Sequence, residues 1–166
     1  MDIETSEVTI RGAQLRDAGQ VGLLLLESLP HNRSARLDVD DLPRDPRDAG
    51  QDLIEMALAR GDGLLLAQWR GLIIALAHLR PKDLVRSRHV AVLSLIAHPT
   101  AEPQISLPPL MSAVLELAAG AGVEKITLDV AEGDPLLGSL MDDERSWWIE
   151  RRRPAASRFE GQLMEV

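Results

Sequence analysis

Val90-Ala91-Val92-Leu93-Ser94-Leu95-Ile96-Ala97 is followed, after His98-Pro99, by an apolar stretch from Leu110 to Ala121 and then by Lys125-Ile126-Thr127-Leu128-Asp129-Val130. The first run is near-continuously apolar, the pattern of a strand covered by helices on both faces. Leu110 to Ala121 reads as a helix closed by Gly120-Ala121-Gly122. The third run alternates, with Ile126, Leu128 and Val130 on one side. A strand, a helix and a strand in this order imply a parallel pair joined by a right-handed crossover.

Working toward the N-terminus, Leu64 to Trp69 and Leu72 to Leu79 flank Arg70-Gly71, which predicts an antiparallel hairpin. Val8 to Arg11 is a β-branched run. Leu15, Ala18, Gly22, Leu25, Leu26 and Leu29 then recur at helical spacing up to Pro30, with Gly19 and Gly22 inside the helix. His31 to Gly50 is rich in Arg, Asp and Pro and reads as a solvated loop. Asp45-Pro46 resembles an N-cap with proline at the first helical position, opening a helix that stops at Gly61. Toward the C-terminus, Leu136 to Met141 reads as a short helix, and Ser146 to Arg151 with Ser157 to Val166 as a closing hairpin.

Composition narrows the function classes. The 166 residues suit one domain spanning 1–166, and the net charge of -8 opposes binding to nucleic acid or anionic membrane, whose affinity comes from clustered Lys and Arg. Cysteine is absent, which removes thiolate metal sites and cysteine nucleophiles, and no metal is expected. The acidic start Met1-Asp2-Ile3-Glu4 is unlike a secretory signal, and Val21 to Leu29 is too short to span a bilayer, so a cytoplasmic protein is expected.

In order, the elements resemble the GNAT superfamily of acyl-CoA-dependent N-acyltransferases. The resemblance rests on Val8-Thr9-Ile10-Arg11 with Leu15-Arg16-Asp17-Ala18, on Ala97-His98-Pro99, on Gly122 to Val130, and on the terminal Gln162-Leu163-Met164-Glu165. It implies an α/β fold with one mixed, twisted sheet of about seven strands flanked by about four helices. It also implies acetyl-CoA as cofactor, a small-molecule or peptide amine as acceptor, and a homodimer as one mode of action.

The same resemblance locates the expected site. Backbone groups of Leu95, Ile96 and Ala97 would pair with the cofactor's pantetheine arm. The family's phosphate-binding loop, Pro-x-x-Gln/Arg-x-x-Gly-x-Gly/Ala, counted from Pro99, would cover Gln104, Ile105, Ser106 and Leu107. That count puts Glu102 on the Gln/Arg position and Ile105 and Leu107 on the two glycine positions. A carboxylate facing a diphosphate at about 4 Å costs on the order of 4 kcal/mol as a gross Coulomb term at an effective dielectric of about 20. Pro103, Pro108 and Pro109 each remove an N–H donor. The family's tyrosine acid falls on Met141, in a chain with no tyrosine, and its frequent glutamate base falls near Leu93.

The remaining titratable candidates for catalysis are His78, His98 and Asp129. His89 is a third imidazole of that region, with Glu132 and Asp134 beside Asp129 as acidic contacts for an amine. Trp147-Trp148 suits a core or dimer position, and Arg151-Arg152-Arg153 suits a hairpin tip or a phosphate. Two readings follow. One is a GNAT-like protein with a degenerate acetyl-CoA site, acting through ligand binding or dimerisation. The other is an active N-acetyltransferase with a remodelled cofactor loop.

Overall fold

Val8–Gly12 (β1) lies antiparallel on Gly63–Trp69 (β2), which turns at Arg70 and Gly71 into Leu72–Pro81 (β3). This is a computed structural model, and it describes residues 7–32, 39–82, 86, 89–130, 134, 156–159 and 162–165. The turn has φ of 48° at Arg70 and 80° at Gly71. Both are left-handed, the geometry that matches the twist of a two-residue hairpin, and glycine takes its share without a Cβ penalty. Val90–Ala97 (β4) continues the sheet antiparallel to β3, and Lys125–Thr127 (β5) joins β4 in parallel at Val90 to Val92. The sheet is therefore mixed, in the order β1-β2-β3-β4-β5.

Alternation along the strands sorts two cores. Ala91, Leu93 and Leu95 of β4 face Pro103–Gly120 (α3), which contributes Leu107, Leu110, Met111 and Val114. Ile96 of β4, with Leu64 and Leu66 of β2, faces Ala18–Ser28 (α1) and Pro46–Arg60 (α2). The helical cover on both faces of β4 is the one its apolar run implies.

The two helices on that second face touch through their backbones. A methyl carbon added at Gly22 of α1 would lie 1.5 Å from the Pro46 carbonyl oxygen, and one added at Gly50 of α2 would lie 1.8 Å from the Ala18 oxygen. Gly22 is thus a packing residue, whereas Gly19 has open space around it. Helix α2 starts at Pro46, so Pro46 to Gly50 belong to it and not to a solvated loop. The Asp45 side chain accepts from the Arg47 and Asp48 amides at 2.9 and 3.3 Å, and Gly61 closes the helix at φ 70°. Entry into α1 is held by Asp17, whose two carboxylate oxygens each accept from Arg11 at 2.7 Å, with the Gln14 amide at 2.8 Å. Chiefly through the Arg11 hydrogen bonds, the Asp17 carboxyl titrates below the usual carboxylate range although burial pushes the other way.

Three expectations are corrected. Helix α3 begins at Pro103, where a loop as far as Leu110 was expected, and Pro108 and Pro109 lie inside it. An interior proline costs about 3 kcal/mol. Leu107, Leu110 and Met111 are 8%, 1% and 1% exposed on the sheet, and their burial, about 1.5–3 kcal/mol for each such side chain, offsets that cost. Strand β5 pairs only as far as Thr127, not to Val130. Among the described residues seven strands are found and they are divided, five in the main sheet and two in a separate antiparallel pair, Ala156–Phe159 (β6) with Gln162–Glu165 (β7), so Ser157 to Val166 holds two strands and not one. Leu136 to Met141, Ser146 to Arg151, Trp147-Trp148, Arg151-Arg152-Arg153 and Glu132 lie outside the described residues; three α-helices are found within them.

Candidate functional site

The β3–β4 ladder decides which backbone groups face the open side of β4. The His98 amide donates to the Ile74 oxygen at 2.8 Å, and the Lys82 amide donates to the Val90 oxygen at 3.0 Å. With Ala75 opposite Ala97, hydrogen-bonded pairs fall on even-numbered β4 residues, so the amides and carbonyls of Leu93, Leu95 and Ala97 point away from β3. Strand β5 pairs no further than Val92. The Leu95 and Ala97 amides consequently face the gap beyond β5, whereas that of Ile96 is turned toward β3. The Leu95 carbonyl accepts from Asn32 Nδ2 at 3.2 Å.

Across the gap stands the N-terminus of α3. Such an end offers up to three free amides to an anion. Here Pro103 has none, and the Ile105 and Ser106 amides both donate to the Glu102 carbonyl, at 3.0 and 3.3 Å. Only the Gln104 amide is left. Glu102, the N-cap, makes no side-chain cap. Ser106 and Leu107 are 2% and 8% exposed, packed inward, with Ile105 half-buried.

Between β4 and α3 lies an open cleft of about 200 Å3. Its walls are mostly apolar, among them Ala75, Leu95, Ile96, Ala97, Leu107 and Leu110. Polar groups come from Ser28, His31 and Asn32 at the end of α1 and the short 3-10 turn after it, from His98 and Ser106, and from Asp134. Of the residues singled out from the sequence, Leu95, Ile96, Ala97, His98, Ser106 and Leu107 are brought together here, while Ile105 is not among the lining.

His98 is held on both ring nitrogens. Nδ1 lies 2.7 Å from Thr100 Oγ1 and 3.3 Å from the Thr100 amide, and Nε2 lies 2.8 Å from Glu27 Oε2. Because a backbone N–H can only donate, this network assigns Nδ1 as the acceptor and the Nε2 hydrogen to Glu27. A base role for His98 would first have to displace Thr100. His78 lies outside the cleft lining, three residues along β3 from Ala75 or roughly 10 Å. Its Nε2 is 2.8 Å from Asp62, whose side chain is 3% exposed. Asp129 is exposed beyond the end of β5 and does not line the cleft; His89 is exposed at the start of β4.

Sequence reading overlooked Ser28 and Asn32, which nothing local distinguishes from solvated residues around Pro30. Among the described residues no group of three or more His, Asp or Glu is placed to hold a metal, and no helix is long and apolar enough to cross a membrane.

Solved structures with this architecture include several described as acetyltransferases. The acetyltransferase of GNAT family from Streptococcus pneumoniae superposes with a TM-score of 0.69 at 19% identity, covering 95% of each chain. A predicted acetyltransferase with acetyl-CoA from Clostridium acetobutylicum gives 0.57 at 14%, over 87% of this chain and 96% of that one. The yncA protein of Salmonella typhimurium, with its cofactor acetyl-CoA, gives 0.60 at 17%, over 70% of this chain and 66% of that one. No protein-family model and no curated protein matches the sequence. The chain thus carries the GNAT fold.

Proposed function

We propose that this chain is a GNAT-fold binding protein whose acetyl-CoA site is degenerate, with weak or no acyl transfer, acting through a small ligand held in the β4–α3 cleft or through dimerisation. The observation that carries this reading is the state of the α3 N-terminus. Pro103 has no donor, the Ile105 amide is turned back onto the Glu102 carbonyl, and the N-cap position is a glutamate rather than a small or uncharged residue. The phenol acid that the family resemblance implies for a leaving thiolate is absent as well, since the chain has no tyrosine. Fold alone does not carry activity.

The second reading, transfer of an acetyl group from acetyl-CoA to an amine, is favoured by one feature. The outward Leu95 and Ala97 amides lie beside an apolar cleft, in a fold for which two of the neighbours described above hold acetyl-CoA. Thermal unfolding separates the two, because a ligand bound only by the native state must raise the melting temperature. Millimolar acetyl-CoA is expected to leave it unchanged. A clear rise, together with steady turnover of a primary amine, overturns the degenerate reading.

A further inference from the structure

Thr100 Oγ1, the His98 imidazole and the Glu27 carboxylate form an unbroken line of hydrogen bonds, 2.7 Å from the hydroxyl to Nδ1 and 2.8 Å from Nε2 to Glu27 Oε2. Glu27 comes from the end of α1, 71 positions before His98, so the line is a product of packing and not of one turn. Its hydrogens run in one direction. The Thr100 amide, 3.3 Å from Nδ1, can only donate, so Nδ1 carries a lone pair and takes the Thr100 hydroxyl hydrogen as well. Nε2 then holds the ring hydrogen and gives it to Glu27.

A hydroxyl that donates to an imidazole, with a carboxylate on the other ring nitrogen, is the arrangement that turns a weak nucleophile into a reactive one. Toward an outside amine His98 is blocked by Thr100; toward Thr100 itself nothing has to move. Thr100 is exposed, and its neighbours Pro99 and Ala101 line the β4–α3 cleft together with His98, which sets the hydroxyl at the rim of an apolar hollow.

The class of substrate follows from what this turn lacks. The Ala101 amide is taken by the His98 carbonyl at 2.9 Å, the Thr100 amide by Nδ1, and Pro99 has none. The turn therefore offers no main-chain donor to a developing oxyanion, a contribution of about 10²–10³ in rate. An ester that expels a stable anion needs that help least.

We propose that Thr100, His98 and Glu27 form a nucleophilic site that hydrolyses aryl esters of short acyl groups through an acyl-threonine. Thr100 Oγ1 adds to the ester carbonyl as Nδ1 takes its proton. The bond from the acyl carbon to the aryl oxygen breaks, and the phenolate leaves and recovers that proton. Water, deprotonated by Nδ1, then cleaves the acyl-threonine to a carboxylic acid and restores the hydroxyl. Thr100 and His98 touch the reacting atoms, and Glu27 is a positioning residue that stabilises the imidazolium. None of these steps uses acetyl-CoA, so the proposal goes beyond the reading given above and does not depend on it.

The test mixes the whole chain with p-nitrophenyl acetate, follows nitrophenolate by absorbance, and maps acetyl groups by mass spectrometry after an acid quench. Turnover above buffer and an acetyl group on Thr100 are expected, and Thr100→Ser should keep both. Thr100→Val, nearly the same shape without the hydroxyl, should lose the acetyl group and about a hundredfold in rate, the lower end of general-base catalysis. Glu27→Gln should slow acylation about two- to fivefold, the scale of an exposed charge pair, with the site of acetylation and the melting temperature unchanged. No turnover above buffer, acetyl on His98 or a lysine but not on Thr100, or a Thr100→Val rate equal to wild type overturns the proposal. An unchanged acylation rate in Glu27→Gln overturns the part given to Glu27. If Thr100→Val does not fold, the mapped acetyl site in wild type and Thr100→Ser decides.

Discussion

Replacing Gly22 by alanine and, separately, Gly19 by alanine should move stability in opposite directions, although both glycines lie in α1 three residues apart. Alanine restricts the unfolded chain and favours helix, which alone stabilises by about 0.5–1 kcal/mol. At Gly19 nothing lies within 4 Å of the added methyl, so that gain should appear in full. At Gly22 the methyl carbon would sit 1.5 Å from the Pro46 oxygen, and a backbone atom cannot swing aside. Relief requires α1 and α2 to separate by roughly 2 Å, since favourable contact begins near 3.5 Å. A gap of that size loosens Val21 and Leu25 from Leu53 and Ile54, all buried between these helices and the sheet. Overpacking of this kind costs about 1–3 kcal/mol, and the lost dispersion adds to it, for a net loss of about 2–4 kcal/mol. In a chain of 166 residues that lowers the melting temperature by roughly 5–15 °C, against a rise of about 1–4 °C for Gly19→Ala. Calorimetry and urea unfolding read both. Equal stability of the two variants would refute the backbone contact between the helices, and with it the placement of Glu27 and Ser28 over the cleft.

Three further outcomes are expected. Asp17→Asn should lose about 2–3 kcal/mol at neutral pH. Because the folded carboxyl is depressed, its contribution is present above the unfolded value near 4 and disappears as pH falls through the folded one. The gap between variant and wild type in urea unfolding should therefore close on acidification, and a gap constant down to pH ~2 contradicts the pairing with Arg11. Glu102→Gln should tighten any residual acetyl-CoA binding by up to about fivefold, the scale of an exposed charge contact. Unchanged affinity in a direct titration removes repulsion as the limiting factor. Pro108→Ala should stabilise by about 1–3 kcal/mol, because position 108 is exposed and its new amide can donate to the Gln104 carbonyl within α3. A loss of stability in the same assay argues against the helix reaching back to Pro103.

Local signals carried most of the fold. The apolar run Val90 to Ala97, the Arg70-Gly71 turn and the Asp45-Pro46 to Gly61 frame each state their own geometry within a few residues, so strands, hairpin and helix were readable before any contact was known. The start of α3 was not. Pro108-Pro109 is a strong local breaker, and the burial that outweighs it depends on β4 lying underneath.

The candidate site was half legible. Leu95, Ile96, Ala97, His98, Ser106 and Leu107 could be placed near one cleft because strand and helix order bring them there. Which of their groups are usable could not, since Asn32 reaches the Leu95 carbonyl across 63 positions and Glu27 reaches His98 across 71. Periodicity and turn chemistry record how each segment meets water and its own neighbours, and they specify the scaffold. Hydrogen-bond partnership between distant segments leaves no periodic trace, so the taken Leu95 carbonyl, the held His98 ring and the lone hydroxyl of Ser28 arise only when the packed chain sets those groups side by side.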